Sequence, residues 1–210
     1  MKRPITVKWL MAEGALRRGL QSVNGDGRYG MTVVVLTVLL WLPAMGGDRW
    51  RLALRYDRGA LLARQWWRLL SAHLVHLDAR HIALNAAGLL LLWALFAREL
   101  RPWQWLIVTL ITALGIDAGL WWLAPQVQWY VGASGLLHGV WSGGTVALLR
   151  QRERFGIAVL ALLVVKLTYE RIADTTPFAY GLPVVPQAHL YGACAGALAA
   201  LVVTQKHKPL

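Results

Sequence analysis

The residues best suited to chemistry are concentrated in Gly132-Ala133-Ser134-Gly135-Leu136-Leu137-His138-Gly139, at the head of an apolar segment running to about Leu149. A serine between glycines in a hydrophobic run can simply serve packing. Small residues let helices approach closely, and the hydroxyl can bond its own backbone. The same residues can also make a nucleophile whose oxyanion is held by backbone N–H groups at a helix start. Such a serine needs a base for its proton, and histidine is the usual one. Two histidines qualify. His138 lies one turn beyond Ser134 on the same helical face, but a pair at i,i+4 on one regular helix aims the imidazole poorly at the serine oxygen. His189 heads a second apolar segment that carries Gly192 and Gly196 on the same face as His189. Gly135, Gly139 and Gly143 supply a matching face after Ser134, so the two segments can pack closely and bring His189 toward Ser134. His189 is favoured as the base, with His138 the alternative.

Other polar residues fall at the edges of apolar runs. His81 and Asn85 are spaced i,i+4 and share a helix face. They could donate to an oxyanion, each worth ~3 kcal/mol if well aimed, or hydrogen-bond between helices. His73, His76 and His81 with Asp78 could be read as zinc ligands. However, no HExxH motif exists, and the single Cys194 allows neither an intrachain disulfide nor a Cys-based site. No metal and no other cofactor is expected; His73 and His76 are read as buttresses ahead of His81. Asp117, Lys166 and Glu170 are ionisable residues within or beside apolar runs. Lys166 and Glu170 at i,i+4 either pair with each other or form a possible substrate entrance.

The elements that must hold these groups follow from composition. The chain has 210 residues, of which 57% are hydrophobic and 12 are Trp. This is too apolar for a soluble domain and predicts a single all-α, polytopic membrane domain. The net charge of +12 sits mostly between apolar runs. It therefore reads as topology signals and contacts with the phospholipid bilayer, not as a nucleic-acid surface.

Six spans are expected, over Met31 to Met45, His81 to Ala97, Trp103 to Ala124, Val131 to Leu149, Phe155 to Tyr169, and Gln187 to Thr204. Asp48 to Trp67 is read as an Arg-rich loop, and Asp174 to Pro186 as a loop with three prolines. The expected organisation is a cytoplasmic N-terminal segment over residues 1–30, a six-helix membrane domain over 31–205 and a cytoplasmic tail over 206–210. The N-terminal segment is basic and includes a short interfacial helix over Trp9 to Leu20.

An even number of spans puts both termini on one side, cytoplasmic by the positive-inside rule. Arg49, Arg51, Arg55, Arg58 and Arg64 in the first outer loop oppose this orientation, but the N-terminal segment usually dominates. Spans two, four and six then run in one direction. His81, Asn85, Ser134 and His189 all come to a similar depth near the outer face.

In this arrangement the residues resemble a rhomboid intramembrane serine protease. The resemblance covers roughly Trp67 to Ala200. It rests on Trp67-Arg68, His81-x-x-x-Asn85, Gly132-x-Ser134-Gly135 and Ala188-His189-x-x-Gly192, in that order. It implies Ser134 as nucleophile and His189 as general base. His81, Asn85 and the Ser134 backbone N–H form the implied oxyanion site, and the dyad has no acidic third member. Gly132, Gly135 and His138 are adjacent to the site.

Bacterial rhomboids of the best-known type often carry Tyr four residues after the serine, packed on the histidine; here that residue is His138. The form G-x-S-G-x-x-H-G, with Lys166-x-x-x-Glu170 and Pro186-Gln187-Ala188-His189, is closer to the rhombosortase subfamily. That likeness implies a multi-pass protein of the bacterial inner membrane. Its partners would be membrane-anchored proteins whose C-terminal sorting signal joins a Gly-Gly motif, one helix and a basic tail. Alternatives are a general rhomboid protease with other single-span substrates, or an inactive rhomboid-like chaperone. The chaperone reading expects loss of the Ser or the His, and both are present. Inverted repeats typical of transporters are missing.

Overall fold

The computed structural model describes residues 27–175, 181 and 183–204. The expected interfacial helix over Trp9 to Leu20 and the tail over 206–210 lie outside these residues, as does part of the proline-containing loop. Helix α1 spans Gly27–Trp41 and runs into a 3-10 turn over Leu42–Gly46 with Pro43 in its first turn. The stretch from Asp48 to Trp67, expected as a loop, instead holds two short helices, α2 Gly47–Leu54 and α3 Arg58–Leu62, and a third, α4 Arg68–Ser71, follows it. Arginines explain the order, because they bond backbone carbonyls that a loop would leave to water. Arg68, 8% exposed, donates from Nη1 to the Leu52 and Arg55 carbonyls at 2.8 Å and from Nε to Gln65 at 2.8 Å. Arg58 reaches the carbonyls of Leu120 and Trp121 at 3.1 Å. The Asp57 carboxylate caps α3 by accepting from the Ala60 N–H at 3.1 Å.

A two-residue strand β1, Tyr56–Asp57, pairs antiparallel with β2, Trp129–Tyr130, with Tyr56 opposite Tyr130 and Asp57 opposite Trp129. This pairing ties the arginine-rich segment to the stretch just ahead of Ser134.

Four long helices follow α4 and one more closes the described chain. They are α5 Ala79–Phe96, α6 Pro102–Trp122, α7 Ser134–Arg150, α8 Phe155–Ala173 and α9 Pro186–Val203. Asp78 caps α5 by accepting from the His81 N–H at 2.7 Å. Pro102 and Pro186 occupy first-turn positions where no N–H is needed.

The chain is an all-α membrane protein. Among the described residues, four helical stretches are long and apolar enough to cross a bilayer: Tyr29–Leu54, Ala79–Phe96, Pro102–Trp122 and Pro186–Val203. Helices α7 and α8 fall short of that description. The first has 17 residues, rich in glycine, and the second carries Lys166, Glu170 and Arg171. The reason for α7 is its position: α5, α6, α8 and α9 all pack on it. A helix enclosed by four others needs little lipid-facing apolar surface.

The bundle is apolar outside and polar within. Val35, Leu91, Leu106, Leu162 and Val202 are exposed, whereas His81, Asn85, Asp117, His138, Glu170 and His189 are buried. Lipid in place of water accounts for this distribution.

Candidate active site

Ser134 is the first residue of α7, and the loop before it is held from several sides. Gly132 has φ +119°, a conformation that suits glycine, and a Cβ there would lie 2.8 Å from the His81 ring. Its N–H donates to the Ala72 carbonyl at 3.0 Å, and its carbonyl accepts from the Tyr130 hydroxyl at 2.6 Å. The Ala133 N–H donates to His76 Nε2 at 3.4 Å. His76 is free to accept because burial pushes its pKa down to about 3, keeping the ring neutral.

The expected glycine contact is present between α7 and α9. A Cβ on Gly192 would fall 2.2 Å from the Gly135 carbonyl oxygen, and one on Gly196 would fall 2.3 Å from the Gly139 oxygen. Only hydrogen fits at these positions, so the two backbones come as close as the residue types permit. His189, in the first turns of α9, thereby meets Ser134. Its Nε2 lies 2.8 Å from the Ser134 Oγ, and its ring is 3% exposed.

The second imidazole nitrogen of His189 is also engaged. Nδ1 lies 2.9 Å from Glu170 Oε2, and the other Glu170 oxygen accepts from Lys166 Nζ. This corrects one expectation: the histidine has an acidic partner, the Glu170 carboxylate, which is 0% exposed and bonded inward. Lys166 does pair with Glu170, as the i,i+4 spacing allows, and its side chain is 25% exposed. Sequence reasoning missed the contact because it joins α8 to α9. The available signal was that a carboxylate inside a span needs more than one partner.

His138 lies at the site, bonded to the Ser134 backbone and not to its hydroxyl. Its Nδ1–H donates to the Ser134 carbonyl at 2.7 Å, and its ring stacks on His189 with centroids 4.2 Å apart and planes 13° apart. It thus packs flat on His189. His81 and Asn85 are both buried. The Asn85 amide donates to the His81 carbonyl at 2.9 Å, and His81 Nδ1 accepts from the Leu77 N–H at 3.4 Å. The His81 ring edge therefore faces Gly132, two residues before Ser134.

The histidine-rich group read as possible zinc ligands does not converge. Asp78 serves as a helix cap, and His76 and His81 meet edge-to-face with centroids 5.0 Å apart. His73 lies behind the site, 3.7 Å from Asp117 and against the Tyr130 ring. Convergent metal-ligand atoms instead come from His138, Glu170 and His189, within 4.8 Å of one another. Both nitrogens of His189 and both oxygens of Glu170 already hold hydrogen bonds there.

Chemically, the site offers a hydroxyl on a histidine at a helix N-terminus. The first N–H groups of a helix have no partner within it and carry partial positive charge, which suits a developing oxyanion. The chain is 24% identical over 178 residues to a protein of Bacillus subtilis (strain 168) named "Putative rhomboid protease YdcA", covering 83% of this chain and 87% of that one. The rhomboid domain family matches residues 63–206, a segment that contains every site residue described above. With more than half its length in that match, the chain belongs to the rhomboid family of intramembrane serine proteases.

Proposed function

We propose that Ser134 is the nucleophile and His189 the general base of an endopeptidase that removes C-terminal membrane anchors from exported proteins, in the manner of a rhombosortase. The observation that carries the first half is the 2.8 Å contact between the Ser134 Oγ and His189 Nε2 in a buried, helix-terminal setting. In the forward step the hydroxyl proton passes to Nε2 as Oγ bonds to the scissile carbonyl carbon. The resulting oxyanion is taken by the Ser134 N–H, His81 and Asn85. An Asn amide nitrogen has two hydrogens, so one can serve the oxyanion while the other holds the His81 carbonyl. Nε2–H then protonates the leaving amine, and water repeats the sequence to release the acyl group.

The substrate class rests on the rhombosortase likeness together with physics. A site at the N-terminal ends of α5, α7 and α9 reaches a bond near one membrane surface, taken as the outer one in the bacterial inner membrane. A substrate helix with a basic C-terminal tail keeps that tail in the cytoplasm, so its N-terminal end lies at the depth of Ser134. Hydrogen-bonded helical backbone resists attack, and glycines relieve this by destabilising helix by ~1 kcal/mol each relative to Ala.

A fluorophosphonate probe should label Ser134 in the purified protein and fail on Ser134→Ala, with the unfolding temperature of that variant unchanged. Substantial labelling or cleavage by Ser134→Ala would remove the protease assignment. A reporter anchored by Gly-Gly, one helix and a basic tail should be shortened at or beside the glycines, as read by mass spectrometry of the released C-terminus. Efficient cleavage after both glycines become Leu would overturn the substrate class alone.

A further inference from the structure

Family resemblance implied a two-residue Ser–His site, and the geometry around Glu170 goes further. Glu170 sits on α8, is 0% exposed, and among the described residues its two oxygens meet different partners. One accepts from Lys166 on the same helix; the other lies 2.9 Å from His189 Nδ1 on α9. An ionised carboxylate can only accept. The proton of neutral His189 must then sit on Nδ1, and its lone pair on Nε2, the atom facing the Ser134 hydroxyl. Neutralising Lys166 would need only one oxygen and could be done nearer the surface. The contact to a second helix is what the ion pair alone leaves unexplained.

We propose that Glu170 is a positioning residue for the general base, holding His189 in the Nδ1–H tautomer with Nε2 aimed at Ser134, while Lys166 compensates the buried carboxylate. This rests on the protease reading above. When the Ser134 proton moves to Nε2, the imidazolium carries two N–H groups, and its charge lies against the Glu170 carboxylate. Glu170 takes no proton; the Nδ1–H bond persists through acylation and deacylation. An acid in this place lowers the barrier by fixing the tautomer and stabilising the imidazolium, as in soluble serine proteases. His138, stacked on the ring at 4.2 Å, restricts its tilt, so in-plane aim is left to the two hydrogen bonds.

The test uses the full chain in detergent, with fluorophosphonate inactivation resolved into a binding constant and a saturating rate constant. Glu170→Gln leaves Lys166 with an uncompensated charge, so the informative variant is Lys166→Met/Glu170→Gln, which removes both charges and keeps the shapes. It is expected to unfold at the wild-type temperature and bind the probe equally, while the saturating rate constant falls about 10²–10⁴-fold. A rate constant within about threefold of wild type would show that Glu170 serves only to neutralise Lys166 and would overturn the proposal. The ¹⁵N shifts of the wild-type His189 ring give a readout that needs no variant to fold. Protonated Nδ1 with bare Nε2 supports the proposal, and the reverse tautomer overturns it. A wild-type chain that does not label at all overturns the protease reading and this one with it.

Discussion

Among the described residues, two buried histidine–carboxylate pairs lie in this bundle, and they differ in what they touch. His189 and Glu170 meet at 2.9 Å, and each has a further partner, Ser134 on one side and Lys166 on the other. His73 and Asp117 approach only to 3.7 Å, which is too long for a hydrogen bond. Among the described residues, both Asp117 oxygens and both His73 nitrogens lack hydrogen-bond partners. Residue type and burial are nearly matched, so neither marks a reactive pair. What distinguishes the first pair is a continuous chain of donors and acceptors across α8, α9 and α7, ending on a hydroxyl at a helix N-terminus. The second pair sits behind the serine loop, against Tyr130, and ends on nothing nucleophilic.

Parallel truncations are the sharpest way to break this comparison. His189→Ala should lower cleavage by about 10⁴-fold or more, the scale seen when the base of a soluble serine protease is removed. His73→Ala should cost less than about tenfold, and equal losses at the two positions would erase the distinction. Cleavage of an anchored reporter, normalised to folded protein, measures both.

Gly192→Ala tests whether helix proximity creates the first pair. The added carbon would fall 2.2 Å from the Gly135 carbonyl oxygen, which is backbone and cannot step aside. Helix α9 must move, costing about 1–3 kcal/mol of stability. A shift near 1 Å in His189 should cost about 10²-fold in turnover. Thermal unfolding and turnover are the two readings, and an unchanged rate would mean that the glycine contact does not set the aim of His189.

Asp117→Asn should have a smaller effect. Exchanging one buried polar group without a hydrogen-bond partner for another of the same shape should leave stability near level, and cleavage should stay within about threefold. A large loss of cleavage would mean the second pair contributes to the reaction.

The smallest expected effect on cleavage at neutral pH concerns His76, which holds the serine loop through Ala133. Its pKa is 6.5 in the unfolded chain and about 3 when folded. The unfolded state therefore binds the proton more readily, and stability is complete above pH 6.5 and declines as pH falls toward 3. His76→Gln should flatten the fall in unfolding temperature between pH 7 and pH 4. A variant whose acid profile overlays that of wild type would remove His76 from this role.

Much of the site was legible in the residues because the governing signals are local or periodic. Apolar runs show helices, four-residue glycine spacing shows a close-packing face, and a shared direction puts Ser134 and His189 at one end of the bundle. Arg68 beside Trp67 was visible as a motif, but its task of holding the Leu52 and Arg55 carbonyls was not. The Arg-rich stretch read as a loop because charge density marks a break between spans, whereas its arginines make long-range bonds to carbonyls and stabilise short helices.

Ser134, His189 and their meeting could be argued from spacing, because each of their helices displays its small-residue face in one dimension. The Glu170 contact could not. The i,i+4 rule accounts for one carboxylate oxygen through Lys166, and the direction of the other depends on how α8 lies against α9. The same limit applied to His138, whose spacing from Ser134 is compatible with either a proton acceptor or a stacking partner. In the packed bundle its ring stacks on His189. Sequence determines which groups share a helix face; whether two faces from distant segments meet at 2.9 Å or 3.7 Å is decided by the packing of the helices that carry them.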